Sequence, residues 1–201
     1  MRTRLRPLPT ADELERIYAR PHDHRRFGAG HDIRARLTAA LGTWMVLDRK
    51  ARSIVDLSTG NGWIPNEMVR SVRDQLQVAP TLVLGDVAAR WPVCGAIEDT
   101  IRDPAVLVAP RPRLLVLSET LEHLDDPDAV LATSRQLFDG LLLSTPTGEE
   151  HDANPEHLWG WDTDGLGEML EAAGWTAMSC VTTEALADPV AGYSYQIWGC
   201  R

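Results

Sequence analysis

From residue 53 onward the apolar residues come in short unbroken runs: 53–57 (SIVDL), 81–85 (TLVLG), 93–97 (VCGAI), 113–118 (RLLVLS) and 140–144 (GLLLS). Runs of this length that do not alternate with polar positions predict strands buried on both faces, as in a parallel sheet. Helical stretches are predicted between most of them, over 64–77, 120–124, 127–138 and 164–173, the last closed by Gly174. Two further strands are predicted over 176–183 and 193–199. Strand and helix alternating in this way predict a three-layer α/β fold with right-handed crossovers.

The first fifty residues differ. A helix is predicted over 11–19, then a connector containing Gly28 and Gly30. A second helix follows over 32–50, with Ile33, Leu37, Leu41 and Trp44 on one stripe. The expected organisation is an N-terminal helical cap (1–50) on a sheet domain (51–201), one structural domain overall. With 201 residues, the chain has enough core to fold without disulfides or a structural metal.

Charge sharpens the division. Residues 1–52 hold 12 Lys and Arg against 6 Asp and Glu, and the remainder holds 8 against 23, within a net charge of −9. So acidic a body argues against coating duplex nucleic acid. No apolar run reaches the ~18 residues of a membrane span, and the start, MRTRLRPLPT, lacks the apolar core of a signal peptide. Three unpaired, widely spaced cysteines (Cys94, Cys180, Cys200) point to a reducing, cytoplasmic setting.

Three predicted strands end in acids: Asp56, Asp86, and Glu98 with Asp99 after Ile97. All three fall at the carboxyl edge, where open α/β sheets bind ligands. After Asp56 comes Leu57-Ser58-Thr59-Gly60-Asn61-Gly62, a glycine turn that lets backbone approach a ligand beside a helix N-terminus. This set resembles the class I S-adenosylmethionine-dependent methyltransferases over roughly residues 53–182. The resemblance implies a Rossmann-like three-layer sandwich whose seven-stranded sheet is mostly parallel, with an antiparallel last strand. It implies S-adenosylmethionine held by Asp56, Ser58, Gly60, Gly62, Asp86, Ile97 and Glu98, with Arg34 from the cap on the methionine carboxylate. Ser58 departs from the family pattern by standing where the first glycine is usual, so its backbone must avoid glycine-only angles. A dinucleotide-binding fold is the rival; the Ser144-Thr145-Pro146 strand end and the final strand pair count against it.

The second constellation is Glu119-Thr120-Leu121-Glu122-His123. On a helix, offsets of three and four place Glu119, Glu122 and His123 on one face, a donor set suited to a divalent cation. The plainer alternative is a set of acids complementing a helix dipole. Read together with Ser-Thr-Pro and with His157-Leu158-Trp159-Gly160-Trp161, the segment resembles the metal-dependent small-RNA 3′-terminal 2′-O-methyltransferases. That resemblance implies Glu119, Glu122, His123 and His157 as ligands of magnesium or manganese, and the two imidazoles in the set shift the preference toward manganese or cobalt. Ubiquinone-pathway O-methyltransferases are similar in the same segment and make small phenols the other acceptor class.

Of the seven tryptophans, Trp44, Trp175 and Trp198 sit in element patterns and are expected in the core. Trp63, Trp159 and Trp161 are placed to wall a flat ligand. Methyl transfer to oxygen of a small molecule or terminal ribose is the expected reaction. A metal-independent N- or C-methyltransferase and a noncatalytic cofactor-binding subunit are the alternatives.

Overall fold

The computed structural model describes residues 1–10, 12, 13, 16, 29–88, 90–147, 154–183 and 194–201. Most of the helix predicted over 11–19, with Tyr18, Phe27 and Gly28, lies outside the described residues. The elements in chain order are β1 (Arg2–Arg4), α1 (Ala29–Arg49), β2 (Ser53–Asp56), α2 (Trp63–Leu76), β3 (Thr81–Asp86), β4 (Val93–Cys94), α3 (Ile97–Thr100), α4 (Pro104–Leu107) and β5 (Arg113–Ser118). They continue with a 3-10 turn (Leu121–His123), α5 (Pro127–Leu137), β6 (Gly140–Thr147), β7 (Trp159–Trp161), α6 (Thr163–Ala172), β8 (Ala177–Thr183) and β9 (Ser194–Cys200).

The main sheet has seven strands in the order β4-β3-β2-β5-β6-β9-β8. β4 to β6 pair in parallel, and β9 inserts antiparallel between β6 and β8. This is the doubly wound, mostly parallel architecture the apolar runs predict, with the order reversing between β2 and β5. Val55, Leu115, Leu117, Leu141 and Leu143 bury one face against α5 and α6; Ile54, Leu114, Val116, Leu142 and Ile197 bury the other against α1 and α2. The carboxyl ends of β2, β3, β5 and β6 therefore share one edge, where the loops are free to carry chemistry.

Several expectations are corrected. The predicted stripe of α1 is not its buried face: Leu37 and Trp44 are exposed and Ile33 and Leu41 half-buried, whereas Ala35, Thr38, Ala39, Met45 and Val46 are buried. Small residues win that face because the helix lies close to its neighbours; a Cβ at Gly42 would stand 2.6–2.7 Å from Met68 and Leu142 atoms. The run over 93–97 is a two-residue strand, and Ile97 and Glu98 open the short helix α3. Residues 120–124 form only a 3-10 turn. The chain also starts with an unpredicted strand: β1 pairs antiparallel with β7, Arg2 opposite Trp161 and Arg4 opposite Trp159. Among the described residues, no helix is long and apolar enough to cross a membrane.

Candidate functional site

The loop from β2 to α2 is built from its glycines. Gly60 (φ 54°) and Gly62 (φ 77°) take left-handed backbone, which costs an L residue about 1–2 kcal/mol, while Ser58 does not. A serine is therefore tolerated where the family pattern has glycine. Its hydroxyl spans to the end of β5, with Ser58 Oγ 2.6 Å from Thr120 Oγ1.

Asp86, at the end of β3, pins this loop. Its carboxylate accepts the Gly60 N–H at 2.7 Å and the Ala88 N–H at 3.0 Å. Each carboxylate oxygen keeps a further lone pair for a ligand hydroxyl. Asp56, fully buried behind it, has its carboxyl pushed up to about 7 by loss of hydration, with the neighbouring Asp86 charge adding to the rise and the Ser58 N–H opposing it.

Trp91 is a site residue that sequence reasoning missed. Its indole N–H donates to the Gly60 carbonyl at 2.9 Å, and its ring lies against Gly62, where a Cβ would come within 2.9 Å of it. No motif flags this tryptophan, since it sits in an irregular loop between β3 and the edge strand β4. Ile97, expected as an adenine wall, is instead packed in the core, and Glu98 is exposed on α3. The reason is the early end of β4, which turns both residues off the strand edge.

The acidic motif divides into two groups. Glu119 does not share a helical face with Glu122 and His123, because it directly follows the last residue of β5 with φ 54°, before any helical turn begins. Its N–H donates to the Ser144 carbonyl at 2.8 Å, and its carboxylate accepts from Ser144 Oγ at 3.3 Å. It faces the buried Arg34, whose Nε lies 3.8 Å from Glu119 Oε1. Arg34 Nη1 also donates to Ser118 Oγ at 2.5 Å and Ser144 Oγ at 3.2 Å. A non-glycine residue held at positive φ beside a ligand edge stores strain that the surrounding strands sustain.

Glu122, His123 and His157 do converge. One donor atom from each lies within 4.8 Å of the other two, and Glu119 is not part of that group. Glu122 is fully buried and accepts from Thr145 Oγ1 at 3.0 Å. His123 Nδ1 donates to the Glu156 carbonyl at 3.1 Å, which orients its ring. His157 stands edge-on to it, with ring centroids 4.9 Å apart, and its Nε2 meets the Asn154 amide nitrogen at 2.9 Å. His157 is held on both sides. The next residue, Leu158, donates its N–H to the Glu122 carbonyl and accepts from the Leu5 N–H, each at 2.7 Å, and Arg6 Nη1 donates to the His157 carbonyl at 2.7 Å.

The tryptophans after it do not form a ligand wall. Trp161 is buried, and Trp159 lies under the guanidinium groups of Arg2 (3.9 Å) and Arg4 (4.6 Å) with its indole N–H on the Leu124 carbonyl. Trp63 sits half-buried near Arg36, while Trp175 and Trp198 are core and Trp44 is not.

No family model and no curated protein sequence matches the chain. Solved structures share its fold. The chain is similar to the 1,6-didemethyltoxoflavin-N1-methyltransferase of Burkholderia thailandensis with bound S-adenosylhomocysteine, at 17% identity and TM-score 0.61 over 100% of this chain and 94% of that one. It is similar to the [4+2]-cyclase SpnF at 12% identity and TM-score 0.60, over 97% of both chains. It is similar to the small RNA methyltransferase HEN1 at 15% identity and TM-score 0.57, over 83% of this chain and 25% of that one. These likenesses show the Rossmann-like fold.

Proposed function

We propose that the chain is an S-adenosylmethionine-dependent methyltransferase acting on an oxygen nucleophile of a small molecule or a terminal ribose. The observation that carries this reading is the shared edge: a glycine loop pinned by Asp86 on one side of the β2–β5 switch point, and the Glu122–His123–His157 cluster on the other. Asp86, Gly60, Gly62 and Ser58 would hold the cofactor's ribose and methionine portions, with Asp56 behind them. Trp91 offers the flat apolar face that Ile97 and Glu98 do not. Arg34, buried beside Ser118 and Glu119, is the cation for a carboxylate. S-adenosylmethionine, when bound, supplies a methyl group on an already activated sulfonium, so the protein's work is positioning.

His123 then acts through Nε2 as the base that takes the acceptor hydroxyl's proton, with the Glu156 carbonyl fixing its tautomer. Glu122, buried and adjacent, stabilises the imidazolium that forms. The same three residues fit a divalent cation: one carboxylate and two imidazoles is a donor set for manganese, cobalt or zinc more than for magnesium. Such an ion would supply Lewis acidity toward the acceptor oxygen. Because Glu119 turns to Arg34 and not to the cluster, the general-base reading without metal stands beside it.

Calorimetry with S-adenosylhomocysteine tests the cofactor assignment. Wild type should bind it and Asp86→Ala should not, and wild type showing no heat would overturn the reading. Thermal melts with manganese, cobalt and chelator then separate the two versions of the cluster. A metal-induced rise in Tm that Glu122→Gln removes supports the ion, and no response leaves the histidine base.

A further inference from the structure

The turn that delivers His157 is specified by its sequence, Asn154-Pro155-Glu156-His157. Proline second in a four-residue turn presets φ at about −65°, and asparagine first supplies a side-chain acceptor for the turn's backbone. Both signals are used. The His157 N–H donates to the Asn154 carbonyl at 3.3 Å, and the Glu156 N–H donates to Asn154 Oδ1 at 3.0 Å.

The second of these bonds decides which way the Asn154 amide points. A backbone N–H can only donate, so the amide atom facing Glu156 must be the oxygen. The other end of the amide, 2.9 Å from His157 Nε2, is then the NH2 group, which also can only donate. His157 Nε2 must therefore accept, and in the neutral ring the proton sits on Nδ1. Turning the amide over would set its NH2 group against the Glu156 N–H, donor against donor. The same residue fixes the other ring. The Glu156 carbonyl can only accept, so His123 Nδ1, 3.1 Å away, carries a proton. The N–H and C=O of Glu156 thus set the hydrogens of both imidazoles, which stand edge-on with centroids 4.9 Å apart.

We propose that Asn154 is a positioning residue that holds His157 in its Nδ1–H form and thereby decides between the two chemistries open to the Glu122–His123–His157 cluster. Its catalytic meaning rests on the methyltransferase reading; its geometry does not. A cation is bound by the unprotonated nitrogen of a neutral imidazole. In His157 that nitrogen is Nε2, which already accepts from Asn154, while Nδ1 carries the proton. Binding an ion through this ring has to break the Asn154 bond or expel a proton. Ligating histidines ordinarily donate their second ring N–H to a carboxylate, carbonyl or water. At His157 the partner is itself a donor, the reverse of that arrangement. Asn154 therefore biases the cluster toward the histidine base and away from the ion.

Asn154→Asp tests this with little disturbance. A carboxylate still accepts from the Glu156 N–H, but it replaces the donor at His157 with a second acceptor. Long-range 1H–15N correlation spectra of 15N-labelled protein, at a pH where the imidazoles are neutral, report which ring nitrogen is protonated. The signals that vanish in His157→Gln identify this ring. Wild type should carry the His157 proton on Nδ1, and Asn154→Asp should move it to Nε2. Manganese or cobalt should then raise the Tm of Asn154→Asp by more than that of wild type. Asn154→Ala, which removes the donor without adding charge, should also gain response to the ion. A gain confined to Asn154→Asp comes from its added charge and counts against the proposal. A wild-type His157 protonated on Nε2, or a tautomer that Asn154→Asp leaves unchanged, overturns it. The spectra need no cofactor, so a wild type that gives no heat with S-adenosylhomocysteine refutes the methyltransferase reading while the tautomer is still decided.

Discussion

The Arg6 guanidinium donates to the main-chain oxygen of His157 at 2.7 Å, tying the first residues of the chain to a histidine 151 positions later. With the β1–β7 pairing and the Leu5–Leu158 bond, it clamps the His157 segment between the chain start and the 3-10 turn that carries Glu122. A hydrogen bond from a charged donor contributes about 1.5–3 kcal/mol, toward the lower end for a half-buried group. Arg6→Ala should lower Tm by a few degrees and reduce turnover while leaving S-adenosylhomocysteine affinity unchanged. Calorimetry and melting on the same preparation check both halves. The same contacts mean that removing residues 1–30 strips β1 from β7 and should destabilise the fold.

Asp86 holds the glycine loop through two backbone N–H groups. Asp86→Ala leaves both donors unanswered in a buried site, at about 1–3 kcal/mol each. Thermal melting should show a clear loss of stability, and calorimetry at least a hundredfold loss of cofactor-product affinity. Asp86→Asn, which keeps an acceptor, should fall between the two.

Trp91 and Gly62 are packed against each other. Gly62→Ala combines positive φ with a Cβ inside the indole's contact distance and should cost about 1–2 kcal/mol from the backbone alone. Trp91→Phe preserves a ring but loses the bond to Gly60 O, at about 1 kcal/mol. If Trp91 faces the cofactor as proposed, quenching of tryptophan fluorescence by S-adenosylhomocysteine should shrink markedly in Trp91→Phe.

Burial raises the Asp56 carboxyl to about 7 from an ordinary 3.8. Between about pH 4 and 7 the folded protein then holds a proton that the unfolded chain has released. Stability therefore falls as pH rises through this window, by about 1.4 kcal/mol for each unit of difference, and is level above it. Asp56→Asn should flatten the slope. Melting temperatures of both proteins from pH 5 to 8 test the sign, and a wild-type slope that Asp56→Asn leaves unchanged would contradict it.

The sheet was legible because buried parallel strands must be apolar on both faces, so SIVDL, RLLVLS and GLLLS announce themselves without tertiary information. The Asp56–Gly62 turn was legible too, because left-handed backbone at Gly60 and Gly62 admits few other residues. What the tertiary structure decided lies where local pattern and packing disagree. The apolar stripe of α1 predicted a core face, but close approach of Met68 and Leu142 to Gly42 gives that face to small residues and leaves Trp44 outside. Spacing grouped Glu119 with Glu122, but a strand end at positive φ separates them and gives Glu119 to Arg34. Nothing in the sequence joins Trp91 to Gly60 or Arg6 to His157, because contacts between distant loops depend on where the sheet brings them and leave no periodic trace in either segment.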